Sequence, residues 1–147
     1  MTNDYTDLLK ELLQQEEEIQ FKSFDNDTAF KIGTALLDAA RGKGKGVTID
    51  IARNSQQLFH FAMQGTSFDN DAWVQRKNNV VNRFGHSSYY VGISLKSNSQ
   101  TMEEKYLISS SEFAAMVEGF RCSFKALGWL AQLQFQGFRK RRIMNWW

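Results

Sequence analysis

Two alternating apolar runs constrain this chain more than any other feature. Val47-Thr-Ile-Asp-Ile-Ala52 and Gln57-Leu-Phe-His-Phe-Ala62 both repeat with a period of two, the signature of strands half-buried on one face. Asn54-Ser55 lies between them and suits a tight hairpin turn, so the two runs are expected to pair antiparallel. Val47, Ile49 and Ile51 share one face of the first strand. On the second strand Phe59 and Phe61 share a face, and His60 points the other way. A histidine in a strand is more often surface-exposed or hydrogen-bonded than a ligand.

Helical patterns flank this hairpin. Residues 5–18 form an amphipathic helix, with Leu8, Leu9, Leu12 and Leu13 on one face. Glu16, Glu17 and Glu18 read as its solvated end. Ile19 to Phe24 alternates like a short strand. Asp25-Asn26-Asp27-Thr28 caps a second helix through about Ala40, with Ala29, Ile32, Ala35, Leu36 and Ala39 turned inward. Gly42, Gly44 and Gly46 then stop the helix. No Ser or Thr follows a Gly-Lys pair there as a phosphate loop requires, so this basic run is a turn.

The most distinctive text is Gly65 to Gly92. Asp69-Asn70-Asp71 signals a helix start, repeating the text at Asp25 with the same capping chemistry. Trp73, Lys77, Val80, Val81 and Phe84 recur at spacings of three and four, and Gly85 supplies a left-handed stop. His86-Ser87-Ser88 begins a new segment, with a short helix over Tyr89–Lys96. Ser97–Gln100 is a polar loop, Met102–Leu107 is helical or irregular, and Ser109-Ser110-Ser111-Glu112 starts a helix entered by Phe113.

Composition narrows the function classes. At 147 residues the chain is one domain, and a net charge of +2 implies no nucleic-acid partner by itself. The N-terminus is acidic and lacks a secretory pattern, and no apolar run is long enough for a bilayer, so a cytoplasmic protein without a membrane partner is expected. The lone Cys122 excludes an internal disulfide framework. With two histidines, and neither HExxH nor CxxC, no metal site is expected; no nucleophile–base signature marks catalysis. The strongest cluster is Arg76, Lys77, Arg83, His86 and Ser87, with His60 as a further candidate. Arg76 and Lys77 beside His86 and Ser87 would hold a carboxylate or phosphate. The plainer alternative makes Arg76 and Arg83 solvated cations balanced by Asp69 and Asp71.

The runs LLQQEEEIQFKSFDNDTAFKIG, VTIDIARNSQQLFHFAMQGTSFDNDAWVQRKNNVV and RFGHSSYYVG resemble a bacterial and fungal family of the haem-degrading-domain (GlcG/HbpS-like) superfamily over residues 5–115. The resemblance implies an α+β, profilin-like fold, an antiparallel five-stranded sheet flanked by helices, assembled as a homo-oligomer. It implies a protein that binds a small ligand, with haem as the ligand the superfamily name suggests and no assigned reaction. Two other readings stand beside it. One is an enzyme on a small carboxylated or phosphorylated metabolite, with His86 as acid–base and Arg76 as anchor. The other is an assembly protein using HSSYYVG as subunit interface.

The tail departs from this pattern. Relatives continue after residue 115 with a His-Gly-Gly-x-Phe-Pro turn, a Gly-rich strand and an acidic helix, whereas this chain turns basic and Trp-rich. No proline occurs anywhere, where about one residue in twenty is usual. Reading each codon of residues 116–147 one nucleotide earlier, with a choice among synonymous codons, permits the family text: Met116-Val117 then forces a glycine, and Met144-Asn145-Trp146-Trp147 forces Glu-Leu-Val. The tail therefore reads as an out-of-frame translation; the alternative is a genuine divergent tail, a basic, Trp-bearing segment for a membrane surface or nucleic acid. Loss of the family's last strands and helix would leave the sheet incomplete, with open strand edges and poor order beyond residue 115.

Overall fold

A computed structural model describes residues 2–44, 46–115, 121–126 and 129–136, the last two stretches as backbone. The Asn54-Ser55 turn forms, with both residues at positive φ (50° and 65°), the backbone a two-residue hairpin needs. It joins β1 (Thr48–Arg53) to an antiparallel β2 (Gln56–Ala62). The register shifts at Ile51/Ala52, so that Ile51 pairs with Phe59 and Asp50 with His60. That one-residue bulge decides which side chains share each face.

β1 is central. On its other side runs β4 (Trp129–Gln136), which pairs in turn with β3 (Arg121–Ala126), giving an antiparallel sheet of order β2-β1-β4-β3. The described sheet has four strands where five were expected. The anomalous tail nevertheless closes the edge of β1 along its whole length, Thr48 to Arg53, correcting the expectation of an open edge there. Solubility and order of the remaining tail lie outside the described residues.

Around the hairpin stand α1 (Thr2–Glu18), α2 (Asn26–Gly42), α3 (Phe68–Phe84), α4 (Ser88–Ser97) and the short α5 (Met102–Tyr106). α2 starts because the Asp25 carboxylate accepts the Thr28 N–H at 2.7 Å. It turns Ala29, Gly33, Leu37 and Ala40 into the core with Val47, Ile49 and Ile51. Ala35, expected inside, is exposed. Burying side chains such as Ile49 and Ile51, at 0% and 1% exposure, contributes roughly 1.5–3 kcal/mol each.

α3 begins one residue before the Asp69 signal. Ser67 is its N-cap, its N–H bonded to Asn70 Oδ1 at 2.8 Å, and Asp69 and Asp71 sit inside the first turn. The repeated Asp-Asn-Asp text therefore serves two registers: it caps α2 but charges the first turn of α3. Gly85, at φ 68°, ends α3 as expected. Val80, Val91, Leu95 and Met102 form a second core beneath Phe84, Tyr106 and Phe113.

Two local expectations fail. Residues 19–24 form no strand; Phe21 and Phe24 pack edge-to-face at 5.3 Å, filling core space as an irregular link. Ser109–Glu112 makes a turn and residues 113–115 are not helical, the Ala114 N–H bonding sideways to the Arg76 carbonyl of α3; the rest of the expected helix lies outside the described residues. Among the described residues, no helix is long and apolar enough to cross a membrane.

Candidate functional site

The sequence candidates separate into three places. Arg76 lies mid-α3, its guanidinium 3.9 Å from the centroid of the Trp73 ring, with Nε donating to the Ala72 carbonyl at 3.3 Å. One turn apart on the helix, the two side chains stack as a planar cation on an aromatic face. Trp73 lines an open groove of about 750 Å³ between α3, α4 and the segment after α5. Leu95, Met102 and Phe113 supply apolar wall, and Lys96 and Tyr5 stand on another side. The Lys96 ammonium lies 5.8 Å from the Tyr5 ring centroid. The Ala114 N–H to Arg76 carbonyl bond, 3.1 Å, fixes one wall to α3.

His86 is elsewhere. Its Nδ1 is 2.7 Å from Glu16 Oε2, and Glu16 Oε1 accepts the Ser87 N–H at 2.8 Å. A carboxylate only accepts, so Nδ1 carries the proton in this contact. Glu16 is thus no solvated helix end, since its side chain is 18% exposed and ties α1 to the start of α4. The Tyr90 ring lies 4.7 Å from the imidazole. Ser87 is buried and is the N-cap of α4, accepting the Tyr90 N–H at 3.1 Å. Its role is local structure. Within HSSYYVG, Ser87, Ser88, Val91 and Gly92 are buried, and His86, Tyr89 and Tyr90 are half-buried.

Lys77, expected beside His86 and open to a ligand, is 1% exposed. It is engaged inside the protein, out of reach of a solute.

His60 belongs to a third group. Its Nδ1 is 3.0 Å from Asp50 Oδ1, across the bulge-set pair. Asp50 is 3% exposed and also accepts from Gln57 Nε2 at 2.7 Å and from Asn78 Nδ2 at 3.0 Å. These bonds hold its buried carboxylate in place. His60 Nε2 faces Asp71 Oδ1 at 3.3 Å, so Asp71 answers the histidine, where the sequence suggested it balanced Arg76 or Arg83.

Sequence reasoning named Arg76, His86 and His60 but missed Trp73 as a groove wall, Glu16 as a partner and Asp50 as a hub. Asp50 carried a usable signal, a carboxylate inside an apolar alternating run. Glu16 carried none, since its partner lies 70 positions away.

Comparison with known proteins agrees with this architecture. Residues 24–124 match the family described as "Haem degrading protein HbpS-like". The UPF0303 protein of Psychromonas ingrahamii is 37% identical over 141 residues, covering 96% of this chain and 87% of that one. The UPF0303 protein of Streptomyces coelicolor is 38% identical, covering 86% and 80%. The crystal structure of the Ybr137w protein superposes with a TM-score of 0.78 at 33% identity, covering 89% of this chain and 78% of that one. The profilin-like α+β architecture and these matches lead to one conclusion: the chain belongs to the HbpS-like family, together with the UPF0303 proteins.

Proposed function

We propose that this protein binds a small anionic ligand with an apolar body in the groove beside α3. Lys96 beside the apolar wall of Trp73, Leu95 and Met102 carries the reading. A groove of about 750 Å³ falls within the usual range for small-molecule sites, roughly 300–1,000 Å³. Trp73, Leu95, Met102 and Phe113 suit the apolar body, while Lys96 suits a carboxylate or phosphate. Arg76, outside the lining, stacks on Trp73 and holds that wall ring in place before a ligand arrives, which lowers the ordering cost of binding. Amide and methyl NMR shifts on adding 1-naphthoate test this. Shifts centred on Trp73, Leu95 and Met102 support the site, and shifts confined elsewhere remove it.

The family description points to haem, and the residues present do not fit it. Neither histidine lines the groove. His60 has a carboxylate at each ring nitrogen, and His86 Nδ1 is held by Glu16. Haemin added to the protein is expected to give no histidine-ligated Soret band.

The Glu16–His86 pair favours a second reading, an enzyme with His86 as general base. A carboxylate on Nδ1 sets the tautomer that leaves Nε2 to accept a proton. Arg76 does not complete this site, because roughly 12 Å of helix rise separates it from Phe84 at the end of α3. Turnover of a carboxylated metabolite that survives His86→Ala rules this reading out.

A further inference from the structure

The groove beside α3 carries two opposite charges that do not meet. Lys96, in the last turn of α4, and Glu103, in the first turn of α5, both line it. The ion pairs among the described residues join Arg41 to Asp38, His60 to Asp50 and Asp71, and His86 to Glu16. Among those residues, Lys96 and Glu103 are therefore joined neither to each other nor to another charge. The Lys96 ammonium lies 5.8 Å from the Tyr5 ring centroid instead, a contact that positions a cation without neutralising it.

Glu103 is fixed by its own partner. Its Oε1 accepts the Ser110 N–H at 2.8 Å, and Ser110 also lines the groove, so the carboxylate sits at the rim. Hydrogen bonds, first from the Ser110 side chain and then from backbone N–H groups, hold its carboxyl below the usual carboxylate value. It is ionised at neutral pH. A ligand with an anionic group alone meets attraction at Lys96 and repulsion at Glu103. A ligand of both signs turns that repulsion into a second contact, so the two side chains discriminate between these classes. Trp73, Leu95, Met102 and Phe113 leave the ligand's body an apolar bed.

We propose that the groove selects a zwitterion with an aromatic body, a molecule of the aromatic amino-acid class. Its carboxylate meets Lys96, its ammonium meets Glu103, and its ring lies against Trp73. This rests on the groove reading above and narrows it: the anionic group is required, and a cationic group beside it sets the preference.

Calorimetry of the full chain with two probes of one body tests this. The probes are 3-(1-naphthyl)-L-alanine and 3-(1-naphthyl)propionate, which lacks only the ammonium. Naphthylalanine is expected to bind about fivefold more tightly, the strength of one exposed ion pair. Glu103→Gln, at an exposed position and with an oxygen kept for the Ser110 N–H, should abolish that advantage without weakening naphthylpropionate. Lys96→Ala should weaken both probes, with circular dichroism confirming that each variant is folded. Equal binding of the two probes by the wild type, or an advantage that survives Glu103→Gln, overturns the proposal. If naphthylpropionate still binds in a Lys96-dependent way, the groove reading stands without the zwitterion preference. No binding of either probe overturns both.

Discussion

The carboxylate of Glu16 holds His86 Nδ1 at 2.7 Å with one oxygen and the Ser87 N–H at 2.8 Å with the other. One side chain near the end of α1 thereby orients the imidazole and satisfies a free N–H at the start of α4. Glu16→Ala breaks both bonds and leaves the amide without its acceptor. The expected cost is about 1–3 kcal/mol in urea denaturation. Amide exchange at Ser87 should accelerate with it, and an unchanged Ser87 rate would show that the clamp is not formed in solution.

Gly33 and Phe59 form a similar dependence between α2 and β2. A Cβ at Gly33 would overlap the Phe59 ring. Gly33→Ala gains about 1 kcal/mol of helix propensity but forces the ring aside, at about 1–3 kcal/mol. A net loss of thermal stability is expected. Adding Phe59→Leu should recover part of it, and additive losses in the double variant would contradict the contact.

Asp25 gives a pH signature. Its carboxyl is held below the usual value of 3.8, chiefly by the Thr28 side-chain hydrogen bond and then by the Thr28 N–H. The unfolded chain therefore binds this proton at higher pH than the folded one. The cap's contribution is fully present above the unfolded value and is lost as pH falls through the folded one. Asp25→Asn should flatten acid unfolding in that window only. An equal change at neutral pH and in acid would count against a charged cap.

Much of the fold was legible because it rests on local chemistry. Asn54-Ser55 fixed the hairpin, Asp25 the start of α2, and Gly85 the end of α3. The functional groups were less legible because they depend on register and distance. Without the bulge at Ile51/Ala52, counting back from the turn pairs Asp50 with Phe59, and the Asp50–His60 contact cannot be foreseen. Ile19 and Phe21 alternate like a strand, yet they pack with Phe24 against the core from an irregular link instead. Lys77 looks like a surface cation by type, and only tertiary packing reveals its burial.

We also propose that residues 116–147 are the out-of-frame reading of a family C-terminus. The support is the sequence itself: forced codon positions restore Gly and Glu-Leu-Val in family order. Genomic sequencing across codons 110–120 should reveal an additional base. An unaltered frame would establish the basic, tryptophan-rich end as native.

The ligand groove is the centre of the functional account, and calorimetry with Lys96→Ala tests it most directly. Wild-type protein should bind 1-naphthoate, and Lys96→Ala should bind it at least tenfold more weakly, a difference of about 1.4 kcal/mol. The uncharged 2-methylnaphthalene should bind both forms alike, because only the anion uses the ammonium. Equal affinity of both proteins for 1-naphthoate, or no binding by the wild type, would contradict the account.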